Sequence, residues 1–339
     1  MIGAISYSPS VDRGLVVQDV RIGEINRVEL QGQVAGGKAI NAARAARFWG
    51  SEVHVVAPLG GYGREWITQE LRNLGIVLSE FVAQYPTRVC ESVFSRSSQE
   101  LTEFYELAPK LSYEELELLA DMARDLAKGA SWTLVAGSLP SSTGKGYVGR
   151  LIESLHARGS KVAVDLSGAH LAEALMAGPE LVKINLDEAS NLEYGSLPET
   201  SNSPQQDLGR TGLTAQEAQA LDLARHIRNR YSGSKNSPPI TVITLGSHGA
   251  VLAHERLVVA RNRHLGLYGN GCGDTLMGVM LSCLDKLGEP STPAGLEEAF
   301  RAGLGASVAN AMEPLPAVFS REDAGIFSAQ IGIIHLPRK

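Results

Sequence analysis

Short runs of aliphatic and β-branched residues alternate with helical patterns along most of this 339-residue chain. Residues 53–59, 132–136, 161–166, 181–184 and 240–245 each read as a buried strand, with helices predicted near 64–74, 145–158 and 214–231. Strands alternating with helices in this way form a mainly parallel sheet covered on both faces. Gly137, Asn185 and Gly246 each fall just past a strand's C-terminal end, the edge at which open α/β sheets bind ligands. Two stretches, 14–34 and 87–107, lack a helical period and carry strand-like segments such as Val89-Cys90-Glu91-Ser92-Val93-Phe94. Residues 195–212 and 232–239 are rich in Ser, Thr, Pro, Gln and Gly and read as surface insertions.

Chemistry concentrates near the carboxyl end, in Tyr268-Gly269-Asn270-Gly271-Cys272-Gly273-Asp274-Thr275-Leu276-Met277-Gly278. Glycines at 271 and 273 allow consecutive backbone N–H groups to converge, and the start of a helix adds its positive dipole end, which together make an anion hole. Asp274 is then placed to take the proton of an attacking hydroxyl as charge builds on a phosphoryl group. A Gly-rich loop in which Asp274 only caps the helix is the alternative. Cys272 is assigned to packing within this turn. A second motif, Ala35-Gly36-Gly37-Lys38-Ala39-Ile40-Asn41, leads into an Ala-rich helix that Gly50 ends.

The pair of motifs is specific. A Gly-Gly-x-x-x-Asn helix start followed far downstream by Gly-x-Gly-Asp resembles the PfkB, or ribokinase-like, carbohydrate kinase family. Gly-Gly-Lys-x-Ile-Asn resembles its phosphosugar branch, which contains 1-phosphofructokinase, tagatose-6-phosphate kinase and the PfkB-type 6-phosphofructokinases. Further matches occur in the family's order at Ser8-Pro9-Ser10-Val11-Asp12-Arg13, Gly23-Glu24-Ile25-Asn26-Arg27, Thr87-Arg88, Gly137-Ser138-Leu139-Pro140 and Lys183-Ile184-Asn185-Leu186-Asp187-Glu188. The resemblance spans nearly the whole chain. It implies one α/β domain over 1–339, a ribokinase-like three-layer sandwich with a mainly parallel central sheet, in which 14–34 and 87–107 form a small β-sheet lid that also joins a homodimer.

The resemblance also implies roles. Asp274 is the base, and the turn at Gly271, Cys272 and Gly273 holds the moving charge. On the acceptor side stand Asp12, Gly36, Gly37, Asn41 and Ser138, with Lys38, Arg88 and Arg27 as cations for a phosphate already on the sugar. ATP is assigned to Asn185, Thr244, Gly246, Gly249 and Asn310, the last at the edge of the adenine pocket, and Mg2+ to Glu188 acting through water. Each residue has a plainer alternative: a solvated surface lysine for Lys38, a lid salt bridge for Arg88, a turn-former for Asp12, and a helix cap for the Asn185–Glu188 pair. The expected reaction is ATP- and Mg-dependent phosphorylation of fructose 1-phosphate, fructose 6-phosphate or tagatose 6-phosphate. A kinase for an unphosphorylated sugar or nucleoside, or a non-catalytic sugar-phosphate sensor, is the alternative. Cys90 stands where the phosphosugar branch often has asparagine, and Tyr105-Glu106-Leu107-Ala108-Pro109 replaces Asn-Glu-Pro-Gly-Pro, so the lid and the choice of sugar depart from the pattern.

Other chemistries find no support. Ser142-Thr143-Gly144-Lys145-Gly146 lacks the glycine spacing and the hydroxyl of a P-loop, and Gly60-Gly61-Tyr62-Gly63 lacks dinucleotide spacing. The eight histidines form no His-Glu-x-x-His, and three cysteines without a Cys-x-x-Cys pair argue against zinc or disulfides. A formal charge of −6 gives no electrostatic case for nucleic acid. No apolar run approaches the roughly 20 residues needed to cross a bilayer, and the amino end lacks a basic leader, so cytoplasmic residence without a membrane partner is expected.

Overall fold

The structure, a computed structural model, describes residues 1–108, 110–194, 212–231, 238–288 and 292–336. The first half runs β1 (Ile2–Ser6), β2 (Ser10–Val17), β3 (Glu29–Gly36), α1 (Lys38–Phe48), β4 (Val53–Leu59), α2 (Gly63–Asn73), β5 (Val77–Val82), β6 (Arg88–Ser95), β7 (Glu100–Tyr105), α3 (Tyr113–Ala127), β8 (Trp132–Ala136) and α4 (Tyr147–His156). The second half runs β9 (Lys161–Asp165), α5 (Gly168–Met176), β10 (Leu181–Asn185), α6 (Leu186–Tyr194), α7 (Ala215–Arg230), β11 (Ile240–Thr244), β12 (Gly249–Ala253), β13 (Leu257–Arg261), α8 (Cys272–Leu287), α9 (Pro293–Asn310), α10 (Arg321–Gln330) and β14 (Gly332–Leu336).

The large sheet has the order β14-β13-β12-β11-β10-β9-β8-β1-β4-β5. From β5 to β11 every pairing is parallel, and β12, β13 and β14 add an antiparallel edge. Strand residues alternate between two cores. Val53, Val55 and Ala57 of β4 and Trp132 and Leu134 of β8 face the core built with α1, α2, α8 and α9, whereas Val56 and Val135 face the core built with α3, α4, α5 and α7. Both faces are therefore covered, which explains why these strands are apolar at nearly every position. The chain grows from β1 outward to β4 and β5, then returns to β8 on the other side. That reversal opens a crevice at the carboxyl ends of β1 and β8.

A separate four-stranded sheet of order β3-β2-β6-β7 carries the two stretches expected to form the lid. Of its four strands, β2 begins at Ser10 and β6 at Arg88, so β2 starts before the predicted 14–34 stretch and includes Asp12. The predicted helix near 214–231 is α7. Residues 195–211 and 232–237, which carry most of the two proposed insertions, lie outside the described residues. Among the described residues no helix is long and apolar enough to cross a membrane.

Helices α1 and α8 set the position of the site. They approach so closely that a Cβ on Gly278 would lie 2.0 Å from the Ala42 carbonyl oxygen. This contact brings both helix N-termini to one side of the sheet and lets Asn41 meet Asp274. Gly278→Ala is expected to cost about 1–3 kcal/mol, the usual penalty for overpacking a tight contact. Equilibrium urea unfolding measures it, and an unchanged midpoint would mean that the helices are free to separate.

Candidate active site

Asp274 occupies the first turn of α8 and is buried, accepting a 2.9 Å hydrogen bond from Asn41 Nδ2. The N-cap of α8 is Gly271 in the left-handed region at φ 72°, a conformation that disfavours any side chain. No side chain caps this helix, and none caps α1, whose N-cap is Gly37. The opposite holds at α3, α7, α9 and α10, where Ser112, Thr214, Thr292 and Ser320 accept from first-turn amides. Helices α2, α4 and α5 also start without a side-chain cap, but the starts of α1 and α8 line a cavity, where first-turn N–H groups are able to meet an anion.

That cavity has a volume of about 430 Å3 and is lined by Ser10, Asp12, Gly37, Lys38, Asn41, Asp274 and Lys183 among others. A second cavity of about 290 Å3 adjoins it, sharing Asn185, Thr244, Gly269 and Gly273. Its walls include Gly246, Gly249, Asn262, His264, Tyr268, Leu304 and Val308. The first is chiefly polar and charged; the second has an apolar side formed by α8 and α9.

Two charged residues that sequence reasoning left unassigned lie at the centre. Asp165, the last residue of β9, is 1% exposed and accepts from Lys38 Nζ at 2.9 Å and from Lys183 Nζ. Lys183, on β10, also lies against Gly273. Burial alone would raise the Asp165 carboxyl, but the two lysines outweigh it and hold it below the usual range. Lys38 is raised, first by Asp165 and further by Asp274 and Glu188. Burial pushes Asp274 up to about 6, with Asp165 acting in the same direction and Lys183, Lys38 and the Asn41 hydrogen bond opposing. The signal for Lys183 was present in the Lys-Ile-Asn-Leu-Asp-Glu match. Asp165 sat unmarked at the end of an apolar strand.

Asn185 and Glu188 form a reciprocal cap: Glu188 N donates to Asn185 Oδ1 at 2.7 Å and Asn185 N to Glu188 Oε2 at 2.9 Å. The capping alternative is therefore realised, and it aims Glu188 Oε1 to within 3.7 Å of Lys38 Nζ. Asp12 accepts from Ser10 and lies against Gly36; burial raises its carboxyl despite Ser10, Arg44 and Arg88. Burial pushes the Cys272 thiol up to about 12, which suits the packing role.

The structure places five other assigned residues as follows. Asn310 is fully buried and braces the turn, accepting from Thr275 Oγ1 at 2.7 Å and Ala317 N at 2.6 Å and donating to Asn270 O at 3.2 Å, and it lines neither cavity. Arg27 is exposed between β2 and β3 and lines neither cavity. Ser138 is exposed beyond β8 and likewise lines neither. Arg88 donates to the carbonyls of Ser8 and Glu106 and acts on the site through its charge on Asp12. Lys38 pairs with the carboxylates of Asp165 and Glu188.

The sequence matches the profile of the pfkB family carbohydrate kinases over residues 6–317. Tagatose-6-phosphate kinase of Staphylococcus epidermidis (strain RP62A) is 28% identical over 194 residues, 57% of this chain. The match covers 62% of that relative, so the chain spans under two thirds of its length. The crystal structure of phosphofructokinase-2 from Escherichia coli in complex with potassium superposes with a TM-score of 0.80 at 25% identity, covering 97% of this chain and 98% of that one. A possible 1-phosphofructokinase from Thermotoga maritima shares the fold at 16% identity, with a TM-score of 0.80 and coverage of 99% and 100%.

Because Lys183 and Lys38 lower the Asp274 pKa and Asp165 raises it, Lys183→Met is expected to move the Asp274 titration above 6, as followed by infrared difference spectroscopy of the carboxyl. A carboxyl with a raised folded pKa costs stability as pH rises through the interval between its unfolded and folded values, and the cost persists above it. Asp274→Asn should therefore raise Tm at pH 8. A lowered Tm would mean that ionised Asp274 stabilises the fold.

Proposed function

We propose that this chain, which belongs to the pfkB family of carbohydrate kinases, transfers a phosphoryl group from ATP to a hydroxyl of a ketohexose monophosphate. Fructose 1-phosphate, fructose 6-phosphate and tagatose 6-phosphate are the candidate acceptors. The observation that carries the proposal is Asp274, buried with a raised pKa at an uncapped helix start, beside Asn41 and facing Lys38 and Lys183. A base whose pKa lies near the working pH is efficient at removing a hydroxyl proton as the O–P bond forms. The first-turn amides of α8 meet the charge of the phosphoryl group in flight, and Lys183, lying against Gly273, adds a fixed cation there.

The residues present fit a nucleotide and a sugar. Buried Asn262 Oδ1 lacks a partner among the described residues and lines the second cavity, where a donor of the base or ribose satisfies it. Asn41 Oδ1 and Asn270 Oδ1, equally unpartnered, line the first cavity, where hydroxyls of a sugar satisfy them. Among the described residues no group of three or more acidic, His or Cys side chains is placed to hold a metal, and Asp165 is taken by the two lysines, so Mg2+ would be met through water by Glu188 beside Asn185. Mg2+ supplies charge to the phosphates when bound. Lys38 then spans donor and acceptor, with Arg88 as the remaining cation for the resident phosphate. Cytoplasmic residence and a homodimer joined through the lid belong to the same proposal.

A second reading, a kinase for an unphosphorylated sugar, is favoured by the lid wall itself. Cys90, Glu103 and Tyr105 line the cavity there, with burial pushing the Cys90 thiol up to about 11, and none is a cation. ADP release measured over a panel of phosphorylated and free sugars decides between the two. Activity confined to free sugars would overturn the phosphosugar reading, and no activity with any acceptor would overturn both.

Asp274→Asn should lower kcat by about 10²–10⁴, the contribution of a positioned general base. With the base needed unprotonated, kcat/KM is expected to fall as pH drops through about 6. Arg88→Ala should weaken use of the phosphosugar by roughly 1.5–3 kcal/mol, mainly in KM, with ATP affinity unchanged. Lys38→Ala should depress kcat more than Arg88→Ala does. Steady-state kinetics on both substrates, run across pH, checks all four.

A further inference from the structure

We propose that Leu315 is a positioning residue that couples the lid to the anion-binding turn at Gly271, so that transfer is efficient only while the lid is seated. The inference rests on the kinase reading for its consequence, although not for the contact itself. Gly14 of β2 and Gly32 of β3 are register partners, at the point where the pairing slips between Gly14 and Leu15. A Cβ on Gly32 would lie 2.8 Å from Leu315 Cδ1, and one on Gly14 would lie 2.9 Å from the Pro314 carbonyl oxygen and 3.1 Å from Leu315 Cδ2. Neither glycine has a positive φ. What the missing side chains provide is therefore a notch across two lid strands, and Leu315 fills it.

The next residue reaches the turn. A Cβ on Gly271 would lie 2.5 Å from Pro316 Cβ, so Pro316 packs directly on the N-cap of α8. Its carbonyl accepts from Arg44 at 3.3 Å, and Arg44, 1% exposed, also donates to the Ala35 carbonyl and pairs with Glu70 at 3.0 Å. Ala317 holds a left-handed φ of 55° and donates to Asn310, which in turn holds Thr275 and the Asn270 carbonyl. In Pro314-Leu315-Pro316 the flanking rings fix φ, which makes the segment stiff. A displacement of the lid at Leu315 is thus delivered to Gly271 with little lost in between. The lid touches the other flank of the turn as well, where the Phe94 ring of β6 packs on Tyr268 at 5.0 Å between centroids. Asp12, at the acceptor end of the cavity, lies on the same strand as Gly14. Acceptor contacts and anion-hole geometry therefore share one mechanical path.

Three variants test this: Leu315→Ala, which empties the notch; Gly32→Ala, whose methyl collides with Leu315; and the double variant, in which that methyl has room. Each single change should lower kcat for transfer by roughly 2- to 30-fold, the range for coupling between separated sites, and leave the KM for ATP unchanged. The ratio of acceptor-independent ATP hydrolysis to transfer should rise, and the amides of 271–275 should exchange faster with deuterium. The double variant should be no slower than the slower single variant. Effects that multiply in the double variant, or unchanged exchange at 271–275 in either single variant, would overturn the coupling. A wild-type chain that transfers to no acceptor would instead remove the kinase reading, while the exchange measurement still decides on the contact.

Discussion

A carboxylate buried at the bottom of a cavity stays ionisable only while opposite charge balances it, and the site is built around that balance for Asp274. Burial drives its pKa upward, and the nearby charge of Asp165 adds to the push. Lys183 and Lys38 oppose it, and they can lie so close only because Asp165 binds both of them. The two lysines thus compensate one carboxylate fully and a second in part. The result is a base poised near 6, with cations already directed at the place where a phosphoryl group would develop charge.

The fold supplies these charges from separate elements at one level of the molecule. Asp165 ends β9, Lys183 lies near the end of β10, Lys38 begins α1 and Asp274 begins α8. Parallel strands all finish at the same edge, and the helices packed behind them begin there, so residues distant in sequence converge without any long excursion of the chain. Close contact of α1 with α8 at Gly278 then sets their starts side by side. Two uncapped helix ends meeting at one cavity form an anion site of which neither helix alone would be specific.

Above this rigid base the lid makes the acceptor end different in character. Asp12, Cys90, Glu103 and Tyr105 present hydrogen-bonding and acidic groups, and the nearest lid cation, Arg88, is tied to backbone carbonyls. On the proposed kinase reading, the chemistry of transfer and the choice of acceptor would be carried by different sheets. Leu315 and Pro316 join them mechanically, and Arg44 anchors the same segment to the end of β3 and to α2.

Local pattern was enough to read much of this. The strands at 53–59 and 132–136 have the bounds expected, because an apolar run flanked by turn residues has few ways to be satisfied other than in a covered sheet. The two glycine motifs marked both helix starts, since a glycine N-cap and a following polar residue are visible in sequence. The lid register was not readable, because β2 begins at Ser10 within a stretch whose alternation is weak. Neither was the role of Asn310, whose position in a helix near the site is equally compatible with lining a cavity or with bracing the turn; only its full burial and three hydrogen bonds decide. Sequence by itself determined the layered architecture and the two glycine-led helix starts that carry Lys38, Asn41 and Asp274, because backbone conformation and periodicity are local properties. Tertiary structure alone decided that Lys38 turns toward Asp165, that Lys183 lies against Gly273 and that Leu315 fills a notch in the lid, because charge pairing and shape depend on which distant side chains are brought within a few ångströms.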